Sequence, residues 1–204
     1  MIPMEHALAQ VMHLINTNNI DEADKIISEQ LTAHPLEPQV LHSAGIVAFR
    51  KNNIKEGISL VEKAVQIDKK NPMFLGNLGE FYRRDRQFDK ARESFEKALV
   101  IMPEFLKAHL GMANTLKDQK KYVEAMARFR LALAINPAFA QGYNYLGQML
   151  TEMEKPDQAI PLLRKAVGLR NGYIEAQLNL ASALEMTGQP EEALTIYKSV
   201  LERM

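Results

Sequence analysis

Residues 72–105 read PMFLGNLGEFYRRDRQFDKARESFEKALVIMPEF, and the spacing of their apolar and small residues decides the fold. Leu75, Leu78 and Tyr82 fall at i, i+3 and i+7, one face of a first helix. Arg84-Asp85-Arg86-Gln87 carries a turn. Ala91, Phe95, Ala98 and Leu99 form the inner face of a second helix, and Pro103 marks the link because it cannot continue that helix. Gly79 and Ala91 fall where the two helices are expected to cross, small side chains letting the backbones approach. The helix-breaking tendency of Gly79, up to about 1 kcal/mol relative to Ala, must be outweighed by that packing.

The same spacing recurs along the chain. Ala91, Ala125, Ala159 and Ala193 are each 34 residues apart, and stepping back gives Gly57 and Ala23. A second track runs Val11, Gly45, Gly79, Ala113, Gly147, Ala181, and a third runs Ala64, Ala98, Ala132, Ala166. Pro35, Pro103 and Pro137 keep the same step. One helical pair cannot bury its own apolar face, so stacked neighbours must bury a continuous core.

A 34-residue period with Leu-Gly, Tyr, Ala, Phe and Pro at fixed offsets resembles the tetratricopeptide (TPR) family. Residues 72–105 carry Leu75, Leu78-Gly79, Tyr82, Ala91, Phe95 and Pro103, with Leu75 in place of the leading aromatic. The resemblance extends over one array spanning 1–204, as repeats 4–37, 38–71, 72–105, 106–139, 140–173 and 174–204. Repeat one departs most, with Val11 and Gln30 where small residues are expected; repeat two has Lys69, and repeat five Asn171, at the proline position. The resemblance implies an all-α fold, a right-handed TPR superhelical solenoid of antiparallel helix pairs. The array is similar to the TPR arms of O-linked N-acetylglucosamine transferase-like proteins, and repeats three to five, with NLGEFYRR and PEFLKAHLGMANTLKD, resemble the TPR arms that precede bacterial glycosyltransferase or sulfotransferase domains.

Composition narrows the function classes. Lys+Arg and Asp+Glu are 25 each, giving zero formal charge, whereas a general nucleic-acid binder carries a basic excess. Phe81, Tyr82 and Phe88 therefore read as helix packing rather than base-stacking rings, and no nucleic-acid partner is expected. Pentatricopeptide repeats are usually 35 residues long and basic, which also argues against RNA. The absence of cysteine excludes disulfides, thiolate zinc sites and cysteine nucleophiles. The N-terminus lacks a basic n-region, and no apolar run approaches the roughly 20 residues of a membrane span. A soluble cytoplasmic protein is the expectation.

No HExxH, P-loop, GxSxG or GxGxxG occurs, so no catalytic residue, cofactor or metal site is expected. His6 and His13 could share a helix face but lack a third ligand.

The family resemblance instead implies binding on the concave face lined by the first helices. Its groove positions are filled here by His42, Phe49, Arg50, Asn77, Glu80, Arg83, Arg84, Lys107, Asn114, Lys117, Asn144, Tyr145, Gln148 and Asn179. The groove reads apolar at one end, basic in the middle, and polar-to-acidic at the other. Arg50, Arg83, Arg84, Lys107 and Lys117 are expected to meet an acidic segment of a partner. Asn77 and Asn179 fall on the asparagine-ladder position of the transferase arms, which Ala9, Ser43, Gly111 and Tyr145 interrupt. The carboxylate clamp for heat-shock chaperone tails is not supplied by any three consecutive repeats.

The resulting expectation is a non-catalytic scaffold binding a protein or extended peptide. The alternative is a regulatory or substrate-recruiting arm of a glycosyltransferase- or sulfotransferase-type enzyme. In the last helix, Ala193, Tyr197 and Val200 are expected to pack inward, leaving Leu194 and Leu201 for weak self-association or a docked domain.

Overall fold

The computed structural model describes residues 3–203. Among them are twelve helices and no strand. In chain order these are α1 (Met4–Asn16), α2 (Ile20–Ala33), α3 (Pro38–Arg50), α4 (Ile54–Ile67), α5 (Pro72–Arg84), α6 (Phe88–Ile101), α7 (Leu106–Asp118), α8 (Tyr122–Ile135), α9 (Ala140–Glu152), α10 (Pro156–Leu169), α11 (Ile174–Met186) and α12 (Pro190–Leu201). The chain divides into two compact units, Met1–Thr115 and Leu116–Met204.

One turn joins the two helices of every pair. Asn18, Asn52, Arg86, Lys120 and Glu154 have φ between 58° and 66°, and Gly188 has φ of 75°. Each lies 34 residues from the next. The amide that follows each one donates to a carbonyl five residues back. These bonds are Asn19 to Leu14, Asn53 to Ala48, Gln87 to Tyr82, Lys121 to Leu116, Lys155 to Leu150 and Gln189 to Leu184, at 2.8–2.9 Å. The left-handed residue donates to the carbonyl three back, as Arg86 does to Arg83 at 3.0 Å. The paired bonds satisfy carbonyls that the helix end leaves open, and they reverse the chain. The second helix of the pair starts two residues beyond the left-handed one.

Helix starts are equally local. Pro38, Pro72, Pro156 and Pro190 begin α3, α5, α10 and α12, where a missing N–H costs nothing. Asn71 caps α5, its side chain accepting from the Met73 and Phe74 amides. Pro161 stands inside α10, a position the repeat pattern did not anticipate.

In the first unit, the pairs share cores rather than owning them. Val11, Leu14, Ile15, Ala23, Ile27, Val40, Ala44 and Val47 bury together from α1, α2 and α3. Leu41, Ala64 and Phe74 join α3, α4 and α5. Phe49 and Phe81 stack across α3 and α5 with centroids 4.1 Å apart and planes 7° apart.

The small residues do two different jobs. A Cβ on Gly57 would lie 3.0 Å from the Gly45 carbonyl oxygen, so backbones meet where α3 crosses α4. At Gly79 the room is filled by a ring instead. A Cβ there would sit 2.7 Å from the Phe95 ring, and one on Gly111 would sit 2.2 Å from it. Phe95 is fully buried between the two glycines. Gln30 stays buried on the third small-residue track despite its size.

In the second unit, Ala125, Phe129 and Ala132 of α8, Ala159, Leu163 and Ala166 of α10, and Ala193 of α12 are fully buried. Gly147 of α9 admits Leu163, whose Cγ lies 2.4 Å from where a Cβ would stand.

Candidate binding groove

In the first unit, three successive first helices contribute one polar chain. Asn77 of α5 donates through Nδ2 to His42 Nε2 of α3 at 2.6 Å, and Lys107 of α7 donates to Asn77 Oδ1. With Oδ1 receiving the ammonium, the amide nitrogen faces the imidazole, so Nε2 accepts and the ring is neutral. Burial first, and the Lys107 charge second, bring the His42 imidazole down to about 4. Burial also lowers the Lys107 ammonium, against the attraction of Glu80. The His42 ring packs on Phe74 with centroids 4.5 Å apart.

Beside this chain lies a groove of about 370 Å³ between α5 and α7. Gly76 and Gly111 line it with backbone, and Phe95, Leu106 and Leu110 make its apolar lining. Its polar lining is Glu80, Arg83, Lys107 and Asn114. Arg83 is held one turn from Glu80 by a two-pronged pair at 2.7 and 2.9 Å. That geometry fixes the guanidinium and neutralises part of its charge.

The three remaining predicted residues of this unit, Phe49, Arg50 and Arg84, are not among the groove's lining. Arg50 donates to Asn18 Oδ1 at 3.0 Å, Arg84 is exposed, and partly buried Phe49 stacks on Phe81. His42, Asn77, Glu80, Arg83, Lys107 and Asn114 are thus gathered on one face.

The second unit holds its own polar chain. Asn144 of α9 is fully buried, donates to Glu175 Oε1 of α11 at 3.0 Å, and accepts from Asn179 Nδ2 at 2.9 Å. Lys117 sits over the Tyr145 ring at 4.1 Å, a cation–π contact, while Gln141 donates to the Tyr145 hydroxyl. Gln148 donates to Glu152 at 3.0 Å.

The two units share a rule that a position-by-position ladder did not reveal. His42 pairs with Asn77, and Asn144 with Asn179, 35 residues on in each case. Polar residues one step off the 34-residue period were the available signal. Gly76, Leu106, Leu110 and Glu175 had no functional signal of their own; their roles follow from helix packing.

Among the described residues, no group of three or more His, Cys, Asp or Glu could hold a metal ion. No described helix is long and apolar enough to cross a membrane.

The tetratricopeptide-repeat profile matches residues 83–148 and 150–204. The chain belongs to the TPR family. Human cell division cycle protein 16 homolog is 32% identical over 98 residues, which is 43% of this chain and 16% of that protein. Mouse protein O-mannosyl-transferase TMTC1 is 27% identical over 110 residues, 52% of this TPR chain and 12% of that protein. The chain therefore spans under a fifth of the length of either relative. Among solved structures, PilF of Pseudomonas aeruginosa superposes with TM-score 0.82 at 14% identity, covering 94% of this chain and 87% of PilF. YrrB, a TPR protein with an unusual peptide-binding site, gives 0.64 at 18% identity, covering 83% and 88%. These structural likenesses carry the TPR fold alone.

Proposed function

We propose that this TPR chain is a non-catalytic scaffold that holds an extended peptide, bearing an acidic residue, in the groove between α5 and α7. The observation that carries the reading is the groove itself: an apolar floor with the Lys107 ammonium in its wall. Lys107 spends one of its three donors on Asn77 and is held in partly desolvated surroundings. A carboxylate entering the groove restores the counter-charge that burial withholds, in a place screened less than open surface. Exposed Arg84 adds long-range attraction. The peptide-binding site named for YrrB supports peptide capture by this fold.

The test is an affinity pull-down followed by titration of the recovered partner. Lys107→Glu with Arg84→Glu should weaken binding at least about tenfold while helical circular dichroism is retained. Binding by wild type should also fall as salt rises. Unchanged affinity in the folded double variant places the site elsewhere.

A second reading is a recruiting arm for a transferase, favoured by the similarity to part of an O-mannosyl-transferase. Recovery of a transferase as the reproducible partner would select it.

A further inference from the structure

Asn171-Gly172 is the chain's one asparagine–glycine pair. It lies in the turn between α10 and α11, and both residues are exposed. Gly172 has φ of 73°, and a Cβ built on it would meet nothing within 4 Å. Its amide makes no hydrogen bond among the described residues, and neither does the Asn171 side chain. A primary amide and an unshielded main-chain N–H therefore stand side by side in water.

The other asparagines lack that combination. Asn71 and Asn136 precede Pro72 and Pro137, which have no N–H. The amides after Asn16, Asn18 and Asn52 are held: Thr17 donates to His13, Asn19 to Leu14 and Asn53 to Ala48, at 2.8–3.0 Å. Asn19 and Asn53 precede Ile20 and Ile54, whose β-branched side chains crowd the nitrogen. Asn77, Asn114, Asn144 and Asn179 lie inside helices, followed by amides of the helical ladder.

We propose that Asn171 is a site of spontaneous deamidation, and that isoaspartate formed there loosens the start of α11. The Gly172 nitrogen attacks Asn171 Cγ. The N–Cγ bond forms, the Cγ–Nδ2 bond breaks, and the amide proton leaves with Nδ2 as ammonia. The cyclic imide then takes up one water. Opening at Cγ returns a normal main chain with aspartate. Opening at the main-chain carbonyl leaves isoaspartate, the chain now running through the side-chain methylene. Aspartate near the start of a helix suits its dipole. Isoaspartate instead alters the spacing of the bonds that set α11: the amides of Tyr173 to Arg170 at 3.2 Å, Ile174 to Gly172 at 2.8 Å and Gln177 to Tyr173 at 3.0 Å. α11 carries Glu175 and Asn179, both bonded to Asn144 of α9, so a lengthened turn reaches the polar chain of the second unit. Nothing in this chemistry involves the α5–α7 groove, and the proposal is independent of the peptide reading.

The experiment ages the full chain in mildly alkaline buffer and maps it by peptide mass spectrometry. Isoaspartate is detected by methyl transfer from labelled S-adenosylmethionine through an isoaspartyl methyltransferase. The mass gain of amide-to-acid conversion should build up at Asn171 at least about tenfold faster than at Asn52 or Asn136, with methyl label in the same peptide. Asn171→Gln, whose extra methylene disfavours the ring, should take up no label there, and the site is exposed, so the fold is kept. Hydrogen exchange should show lost protection of α11 amides in the aged wild type and not in the aged variant. Conversion at Asn171 no faster than at Asn52, acid without methyl label, or equal α11 protection in aged wild type and variant overturns the proposal.

Discussion

Asn77 is polar on both sides of its amide and buried, which makes the residue scale unusually informative. Its oxygen faces Lys107 and its nitrogen faces His42, so the orientation cannot flip without two unfavourable contacts. Protonating His42 would turn an acceptor into a donor against an N–H and set a cation near Lys107. His42 accordingly titrates near 4, below its ordinary 6.5. The unfolded chain then binds more protons between those values, so stability is full above about pH 6.5 and falls as pH drops towards 4. The expected loss is on the order of 1–3 kcal/mol. Urea melts at several pH values should show it in wild type, and His42→Gln should flatten that limb. Identical pH dependence for the two proteins would contradict the buried relay. None of this was legible in the sequence, where His42 looked like a groove residue and the 35-residue partner lay off the repeat track. Arg83 shows the same limit: a basic cluster was visible, but pairing with Glu80 depends on side-chain geometry one turn away.

At the scale of the element, the helical pairs were legible because small residues and turns repeat at one period. Ala125 is fully buried on α8, and Ala125→Leu should cost on the order of 1–3 kcal/mol by overpacking. Lys121→Leu, at the exposed start of the same helix, should shift the denaturation midpoint far less. The turn conformation escaped the sequence reading. Asn18, Asn52 and Gly188 suit a left-handed residue, whereas Arg86, Lys120 and Glu154 hide it. Lys120→Gly should therefore raise stability by a few tenths to about 1 kcal/mol, read as a higher urea midpoint, and a lowered midpoint would contradict strain at that turn. Pro161, exposed inside α10, denies that helix a bond to the preceding turn. Pro161→Ala should stabilise by roughly 1–3 kcal/mol, and an unchanged melting temperature would mean neighbouring packing already compensates.

For the whole molecule, family membership followed from pattern, while the details of recognition did not. The 34-residue step implied stacked pairs, and the TPR profile matches on those terms. A scaffold reading needs more than the step, because the groove depends on which residues line it, Gly76 and Gly111 among them. Those glycines were ambiguous in the sequence: one lies on no small-residue track, and the other looked like a break in an asparagine ladder. Gly76→Leu alters the groove lining by displacing the Phe105 ring, which even a Cβ there would meet at 2.8 Å. The expected outcome is partner binding lost out of proportion to the change in melting temperature.

The central claim, that partners bind in the α5–α7 groove, is tested most directly by site-specific photo-crosslinking. A photoreactive amino acid is placed at Leu110, which lines the groove, or at Lys97, which is exposed on α6 outside it. The account predicts that the pulled-down partner is crosslinked from Leu110 and not from Lys97, and that Lys107→Glu with Arg84→Glu suppresses the product. Crosslinking from Lys97 alone, or equally from both positions, would contradict it.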